Sequence, residues 1–135
     1  MLENYDKTMQ PEEVIASIQR KKDCTKAQAI KILRKEIPLE KFYQKKVLQG
    51  LKRAYPDGFI RKVTLAQYSE GGMPDILAII DGHYFGFEIK RPILGEASPI
   101  QKKTIEMIRR AGGTAEIISY PEQAIEAIRD YFREI

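Results

Sequence analysis

The sequence predicts an α/β fold in which a mixed central sheet is flanked by helices and preceded by an N-terminal helical pair. Three observations predict it. Apolar residues recur at helical spacing through the first third of the chain, short apolar runs of strand character follow, and the last part alternates helix, strand and helix. A tight hairpin pairs antiparallel and a strand–helix–strand unit pairs parallel, so the sheet should be mixed.

The helical first third is divided by caps and breakers. A first helix begins at Pro11, and Thr25 can cap a second one. Pro38 ends the second helix, because proline lacks the amide hydrogen that a helix interior needs. A third helix is predicted over residues 39 to about 55, with its lysines and arginines largely in solvent.

The following segments have the composition of strands and contain one clear turn. The predicted strands cover residues 59–67, 75–80 and 83–90. Asp81 and Gly82, between the last two strands, form a residue pair that favours a two-residue hairpin turn.

The C-terminal part starts with three agreeing helix signals. Ser98 can cap the helix, Pro99 suits its first turn, and Gln101 stands at the capping-box position. Gly112 and Gly113 end this helix. A strand over residues 114–120 and a helix over residues 121–133 complete the prediction.

The composition limits the domain count and the location. The chain has 135 residues, with 23 Lys and Arg against 19 Asp and Glu, which gives a net charge of +4. This length suits one domain with a small appendage, which we place at residues 39–135 and 1–38. No apolar run approaches the roughly 20 residues of a membrane span, and the polar N-terminus does not resemble a secretory signal. We therefore expect a cytoplasmic protein with no membrane partner.

The cysteine and histidine counts exclude several kinds of site. Cys24 is the only cysteine, which excludes an internal disulfide and a thiolate zinc cluster. His83 is the only histidine, which excludes a single-chain site built on two histidines. The sequence also lacks a GxxxxGK[ST] phosphate loop. Enzymatic chemistry would therefore rest on carboxylates, lysine and a hard metal ion.

The predicted hairpin places charged side chains together. If Asp81 and Gly82 are the two turn residues, counting back along the strands puts Asp75 opposite Glu88. Directly opposed residues have Cβ atoms about 4.5–5.5 Å apart. Lys90 lies two residues beyond Glu88 and therefore points to the same side. The register thus predicts two adjacent carboxylates with an ammonium group beside them.

Two opposed carboxylates destabilise a sheet unless a positive charge neutralises them. Mg²⁺ does this well, because it takes hard oxygen ligands and commonly keeps waters and a substrate phosphate. A bound divalent ion can activate water for attack on a phosphodiester. The alternative is that the three charges form a solvated strand face with a diagonal ion pair. The opposed acids within apolar strands favour a Mg²⁺ or Mn²⁺ site.

The same segment resembles a known nuclease signature. Gly72-Met73-Pro74-Asp75 followed by Glu88-Ile89-Lys90 is similar to the PD-(D/E)XK motif. With the later Gly95, Ser98, Pro99 and Gln101, the pattern resembles the VRR-NUC (virus-type replication-repair nuclease) family, over residues 39 to 128. The resemblance implies a restriction-endonuclease-like core and a metal-dependent endodeoxyribonuclease that selects DNA by structure, including branched DNA.

The resemblance also implies roles for individual residues. Asp75, Glu88 and the Ile89 carbonyl would bind the metal, and Glu40 would hold a second metal or a metal-bound water. Lys90 would be the catalytic lysine.

Two of the implied site residues have structural alternatives. Gln101 matches the family's glutamine near the active centre, and it could equally serve only as the capping-box partner of Ser98. Glu40 could serve only the helix dipole in its first helical turn.

DNA is the expected partner. Residues predicted to contact its backbone are Lys45, Arg61, Lys62, Gly71, Gly72, Arg91 and Lys102. We expect a homodimer, in which the helices before Leu39 could form the contact. The alternative is a non-cleaving nucleic-acid-binding module, in which those helices perform the recognition.

Overall fold

The computed structural model describes residues 10–64 and 71–135. Its helices are α1 (Pro11–Lys22), α2 (Lys26–Glu36), α3 (Glu40–Ala54), α4 (Pro99–Arg110) and α5 (Pro121–Glu134). Its strands are β1 (Phe59–Lys62), β2 (Ile76–Ile80), β3 (His83–Ile89) and β4 (Thr114–Ile118). Within the described ranges, no helix has both the length and the apolar character needed to cross a bilayer.

The four strands form one sheet in the order β1-β2-β3-β4. β2 pairs antiparallel with both β1 and β3, and β3 pairs parallel with β4. The crossover from β3 to β4 contains α4. The order of elements and the mixed sheet confirm the predicted α/β fold class.

The β2–β3 hairpin has the predicted turn and register. Asp81 and Gly82 have φ angles of 48° and 81°, so both turn residues take the positive φ of a type I′ turn. Ile80 pairs with His83, and Ile76 pairs with Phe87. One residue further from the turn, Asp75 and Glu88 are therefore neighbours across the two strands.

All four strands are shorter than the sequence predicts, and β4 ends at Ile118 rather than at residue 120. β1 ends at Lys62 rather than Gln67, and residues 65–67 lie outside the described part of the chain. Asp75 directly precedes β2, although its main-chain oxygen still accepts a hydrogen bond from the Val63 amide at 2.7 Å. Lys90 likewise directly follows β3.

The helices lie on both faces of the sheet. On one face, Phe85 packs against Tyr131 and Phe132 of α5. Glu88 lies three residues after Phe85 on β3. Because side chains alternate between the faces of a strand, Glu88 points to the opposite face, where Gln101 of α4 contacts it. One hydrophobic cluster includes Phe85 and also Val14 of α1 and Leu33 of α2. The core is thus continuous across residue 38, and the domain boundary there stays a prediction.

Candidate metal centre

Three carboxyl groups meet at one end of the β2–β3 hairpin. Glu40 comes from the first turn of α3, Asp75 from the residue before β2, and Glu88 from β3. One oxygen from each lies within 4.8 Å of those of the other two. The structure therefore brings together the pair expected from the hairpin and the acid expected from the resemblance, which the chain separates by 35 residues from Asp75.

Glu88 is the most deeply buried of the three acids. Its side chain is 1% exposed, and Oε1 accepts a hydrogen bond from Gln101 Nε2 at 2.7 Å. The Lys90 ammonium lies 3.6 Å from the same oxygen. Oε2 is buried and accepts no hydrogen bond from the residues described. A buried carboxylate oxygen without a donor is destabilising unless another group satisfies it.

The surroundings of Glu88 oppose its ionisation. Burial, followed by the charge of Asp75, raises the pKa of Glu88 to about 8, and the Lys90 ammonium only partly offsets this. Burial also raises the pKa of Glu40, against an opposite effect of Lys90. In the absence of a further cation, the site therefore favours a proton on Glu88.

The donor set fits a hard divalent cation. It consists of carboxylate oxygens, which Mg²⁺ and Mn²⁺ prefer, and it includes an oxygen of Glu88 that lacks a donor. Burial is the main cause of the raised pKa of Glu88, and a cation between the three acids would offset the second cause, the charge of Asp75. Glu40, Asp75 and Glu88 are the residues that would hold it.

Asp75 is fixed by main-chain groups on both sides. Its Oδ2 accepts a hydrogen bond from the Ile89 amide at 2.7 Å, and its main-chain oxygen accepts one from Val63. The Ile89 amide therefore orients Asp75, a contribution that the sequence analysis missed because it considered only the Ile89 carbonyl. The role of that carbonyl as a metal ligand stays a prediction.

The main-chain groups of Lys90 are hydrogen bonded to Ile118 and Ser119. Its amide donates to the Ile118 oxygen at 2.9 Å, and its carbonyl accepts from Ser119 Oγ at 2.7 Å. Gly95 packs closely against this segment, because a Cβ there would lie 2.6 Å from the Arg91 carbonyl oxygen and 2.7 Å from Lys90 Cβ. This close approach gives a physical reason for the glycine in the motif.

Gln101 forms the predicted capping box and also contacts Glu88, whereas a role in catalysis stays a prediction. Its Oε1 accepts a hydrogen bond from the Ser98 amide at 2.9 Å, and its own amide donates to Ser98 Oγ at 3.3 Å, which completes the capping box of α4. The opposite end of its side chain, Nε2, donates to Glu88. The cap therefore fixes the donor that orients the buried carboxylate.

Changing Gln101 to glutamate should separate these two roles. The variant Gln101→Glu keeps an acceptor for the Ser98 amide but places a second carboxylate against Glu88. In EDTA at pH 8 we expect a loss of about 1–3 kcal/mol in unfolding free energy, because a buried acceptor loses its donor. The loss should shrink at pH 5, where protons can bridge the acids. Urea denaturation at both pH values measures it, and equal stability to wild type would contradict the contact.

Arg91 connects the N-terminal helices to the end of β3. Its guanidinium donates to the main-chain oxygens of Ile37 at 2.7 Å, Arg34 at 3.0 Å and Pro38 at 3.1 Å. Two of these carbonyls belong to the C-terminal end of α2, where a cation is also favoured by the helix dipole. Pro38 lies two residues before Glu40. Arg91 thus links the residue after Lys90 to the start of α3.

We expect Arg91→Met to lower the Mn²⁺ affinity of the candidate metal centre, although Arg91 is not one of the residues that would hold the cation. It removes three hydrogen bonds of a charged donor, at a cost of about 2–4 kcal/mol in stability. The loss of the Arg91 charge near Glu40 favours Mn²⁺ binding, but the start of α3 becomes less fixed. We expect the second effect to be larger, so Mn²⁺ affinity should fall by about 10–100-fold, as when a supporting group of a metal ligand is removed. Calorimetric titration with Mn²⁺ measures the affinity. Arg110→Met, which removes an exposed arginine of α4, is the control, and equal affinities in both variants would refute the link.

The lysines and Arg61 among the other residues predicted to contact DNA lie on the surface. Lys45, Lys62 and Lys102 are exposed. Arg61 is exposed and lies 4.5 Å from the ring centroid of Phe59. Gly71 and Gly72 have φ angles of 67° and 73°. Their contacts with DNA stay predictions, whereas the Arg91 side chain is engaged within the protein.

Comparisons with known proteins agree with the fold. No protein-family profile matches the sequence, and no curated protein matches it. A solved structure described as "VRR_NUC domain" aligns with this chain at a TM-score of 0.54 and 23% identity. The alignment covers 66% of this chain and 97% of that structure. The chain therefore has the fold of a VRR_NUC domain, extended by residues that the alignment does not cover.

Proposed function

We propose that the protein is a metal-dependent nuclease that hydrolyses phosphodiester bonds of DNA. The observation that carries this proposal is the convergence of Glu40, Asp75 and Glu88 within 4.8 Å, with the Lys90 ammonium beside Glu88. The fold likeness to a VRR_NUC domain supports the same chemistry.

Each residue of the centre has a role in this proposal. A divalent cation held by the three acids would neutralise charge on the phosphate. It would also lower the pKa of a bound water, so that the water can act as the nucleophile. Gln101 and the Ile89 amide keep Glu88 and Asp75 oriented through their hydrogen bonds. The ammonium of Lys90, 3.6 Å from Glu88 Oε1, would orient the water or stabilise the charge that develops on the phosphate.

The finer features of the activity extend the proposal. We infer an endonuclease that uses Mg²⁺ or Mn²⁺, selects structured or branched DNA rather than a base sequence, and works in the cytoplasm. A twofold homodimer would present two such centres to the two arms of a branched substrate. The resemblance of the motif from Gly72 to Gln101 supports these features.

The test compares cleavage of branched and linear duplexes of one sequence. Purified protein is incubated with each DNA in Mg²⁺, in Mn²⁺ or in EDTA, and the products are resolved by gel electrophoresis. We expect cleavage with either metal, none in EDTA, and faster cleavage of the branched DNA. Binding of DNA without cleavage under all three conditions would contradict the proposal and favour a non-cleaving nucleic-acid-binding module. Equal cleavage rates on both DNAs would refute the preference for branched DNA and leave the proposed nuclease activity intact.

A further inference from the structure

The positive charge of the chain is concentrated in one short segment. Residues 20–35 contain one acid, Asp23, and seven basic residues, which are Arg20, Lys21, Lys22, Lys26, Lys31, Arg34 and Lys35. This segment therefore carries a charge of +6, whereas the whole chain carries +4, so all other residues together carry −2. A charge asymmetry of this kind indicates a surface for an anionic partner.

The seven basic side chains are available to such a partner. All of them are exposed, and none forms an ion pair with another described residue. Elsewhere in the described chain, Arg109, Arg110 and Arg133 are each paired with an acid. The N-terminal helices thus present basic side chains that no described acid pairs with, and residues 11–36 keep a charge of +3 after their four acids are counted.

Part of this charge surrounds a groove between α1 and α2. Lys22, Lys31 and Lys35 line the groove, which has a volume of about 520 Å³. One acid, Asp23, lines it as well, so three ammonium groups face one carboxylate there. Lys31 and Lys35 lie one helical turn apart, about 6 Å along the axis of α2. The two ammonium groups can therefore contact successive anionic groups of an extended polyanion.

The basic surface is attached to the candidate metal centre. Arg91, the residue after Lys90, donates to the carbonyls of Arg34 and Ile37 at the end of α2. An anion bound on α2 is thereby held at a fixed position relative to the metal ligands. The centre itself holds three acids, which do not attract a phosphate backbone unless a cation is bound between them.

We propose that the N-terminal helical pair is the surface that binds the DNA backbone, with Lys31 and Lys35 neutralising phosphates. This inference rests on the proposed nuclease function and adds to it the place where the duplex is held. The contacts are to phosphates, so they contribute affinity without base specificity. The helices that precede the VRR-NUC-like segment therefore serve substrate binding.

The test is the salt dependence of DNA binding by the full chain. Affinity for a labelled linear duplex is measured in EDTA by fluorescence anisotropy, between about 50 and 200 mM salt. One variant carries Lys31→Gln with Lys35→Gln, and a second carries Lys31→Glu with Lys35→Glu. The matched control carries Lys52→Gln with Arg53→Gln, which removes two exposed charges at the opposite end of α3, about 20 Å from Glu40.

We expect the glutamine variant to bind at least about tenfold more weakly, and its salt slope to decrease by about 0.9 for each phosphate that is no longer neutralised. The glutamate variant should bind more weakly still, while the control stays near wild type. If wild type binds and cleaves DNA and both lysine variants bind like the control, this inference is wrong and the proposed function stands. If wild type neither binds nor cleaves DNA, both are wrong.

Discussion

Replacing Glu88 by glutamine is expected to abolish DNA cleavage and at the same time to stabilise the metal-free protein. Glutamine has nearly the shape of glutamate, can accept the hydrogen bond of Gln101 through its oxygen, and can donate to Asp75 through its nitrogen. It cannot supply the charged oxygen that a cation needs. Removal of a group that only supports a metal ligand costs about 10–100-fold, so removal of the ligand should lower cleavage by more than about 100-fold.

The gain in stability follows from the burial of Glu88. The wild-type carboxylate is 1% exposed, close to two other acids, and has one oxygen without a donor. Removing this unsatisfied charge should stabilise the protein in EDTA by about 1–3 kcal/mol at pH 8. Urea denaturation measures the gain, and Glu96→Gln, which alters an exposed loop acid, is the control. A Glu88→Gln protein that is less stable than wild type in EDTA would contradict this account of the site.

The same carboxyl group should make the stability of the metal-free protein depend on pH. The pKa of Glu88 is raised to about 8 in the folded chain, against an ordinary value of 4.5. Between these pH values the folded state binds one more proton than the unfolded state, so the unfolding free energy falls as the pH rises. The slope from this group is at most about 1.4 kcal/mol per pH unit, and it disappears above pH 8. Glu88→Gln should lack this slope, which is why its advantage should grow from pH 5 to pH 8.

Replacing Lys90 by methionine should lower DNA cleavage by about 10²–10³-fold, the usual cost of losing one group that stabilises developing charge. Methionine keeps an unbranched apolar stem and removes only the ammonium, which lies 3.6 Å from Glu88. Mn²⁺ should bind at least as tightly as to wild type, because a positive charge has left the neighbourhood of the three acids.

This combination distinguishes catalysis from a structural role. A variant that lost cleavage because its centre was distorted would lose Mn²⁺ affinity as well. Single-turnover cleavage and calorimetric titration with Mn²⁺ measure the two quantities, and Lys103→Met, which alters an exposed lysine of α4, is the control. Retained cleavage in Lys90→Met, or a large loss of Mn²⁺ affinity, would show that Lys90 is not the catalytic lysine.

Local signals made much of this centre predictable from the sequence. Asp81 and Gly82 fix the length of a hairpin turn, and a two-residue turn fixes every pair along the two strands. The position of Asp75 beside Glu88 follows from that count alone. The cap of α4 is equally local, since Ser98 and Gln101 lie within one helical turn.

Features that depend on distant contacts could not be predicted in the same way. Residue spacing alone does not indicate that Arg91 binds the end of α2, because its partners lie more than 50 residues earlier. The basic character of Arg91 made it resemble a DNA contact, whereas the structure uses it within the protein. The burial of Glu88 and its unsatisfied oxygen likewise depend on how α3 and α4 close over the sheet.

The continuous hydrophobic cluster has a consequence for how the protein opens. Val14 and Leu33 pack in the same cluster as Phe85 and Ile89, so separating the N-terminal helices from the sheet would expose apolar surface on both parts. Amide hydrogens of α2 and β3 should therefore exchange with deuterium through one cooperative opening and share a similar protection. The basic helices and the acidic centre would then unfold as a single unit rather than as a tail and a core.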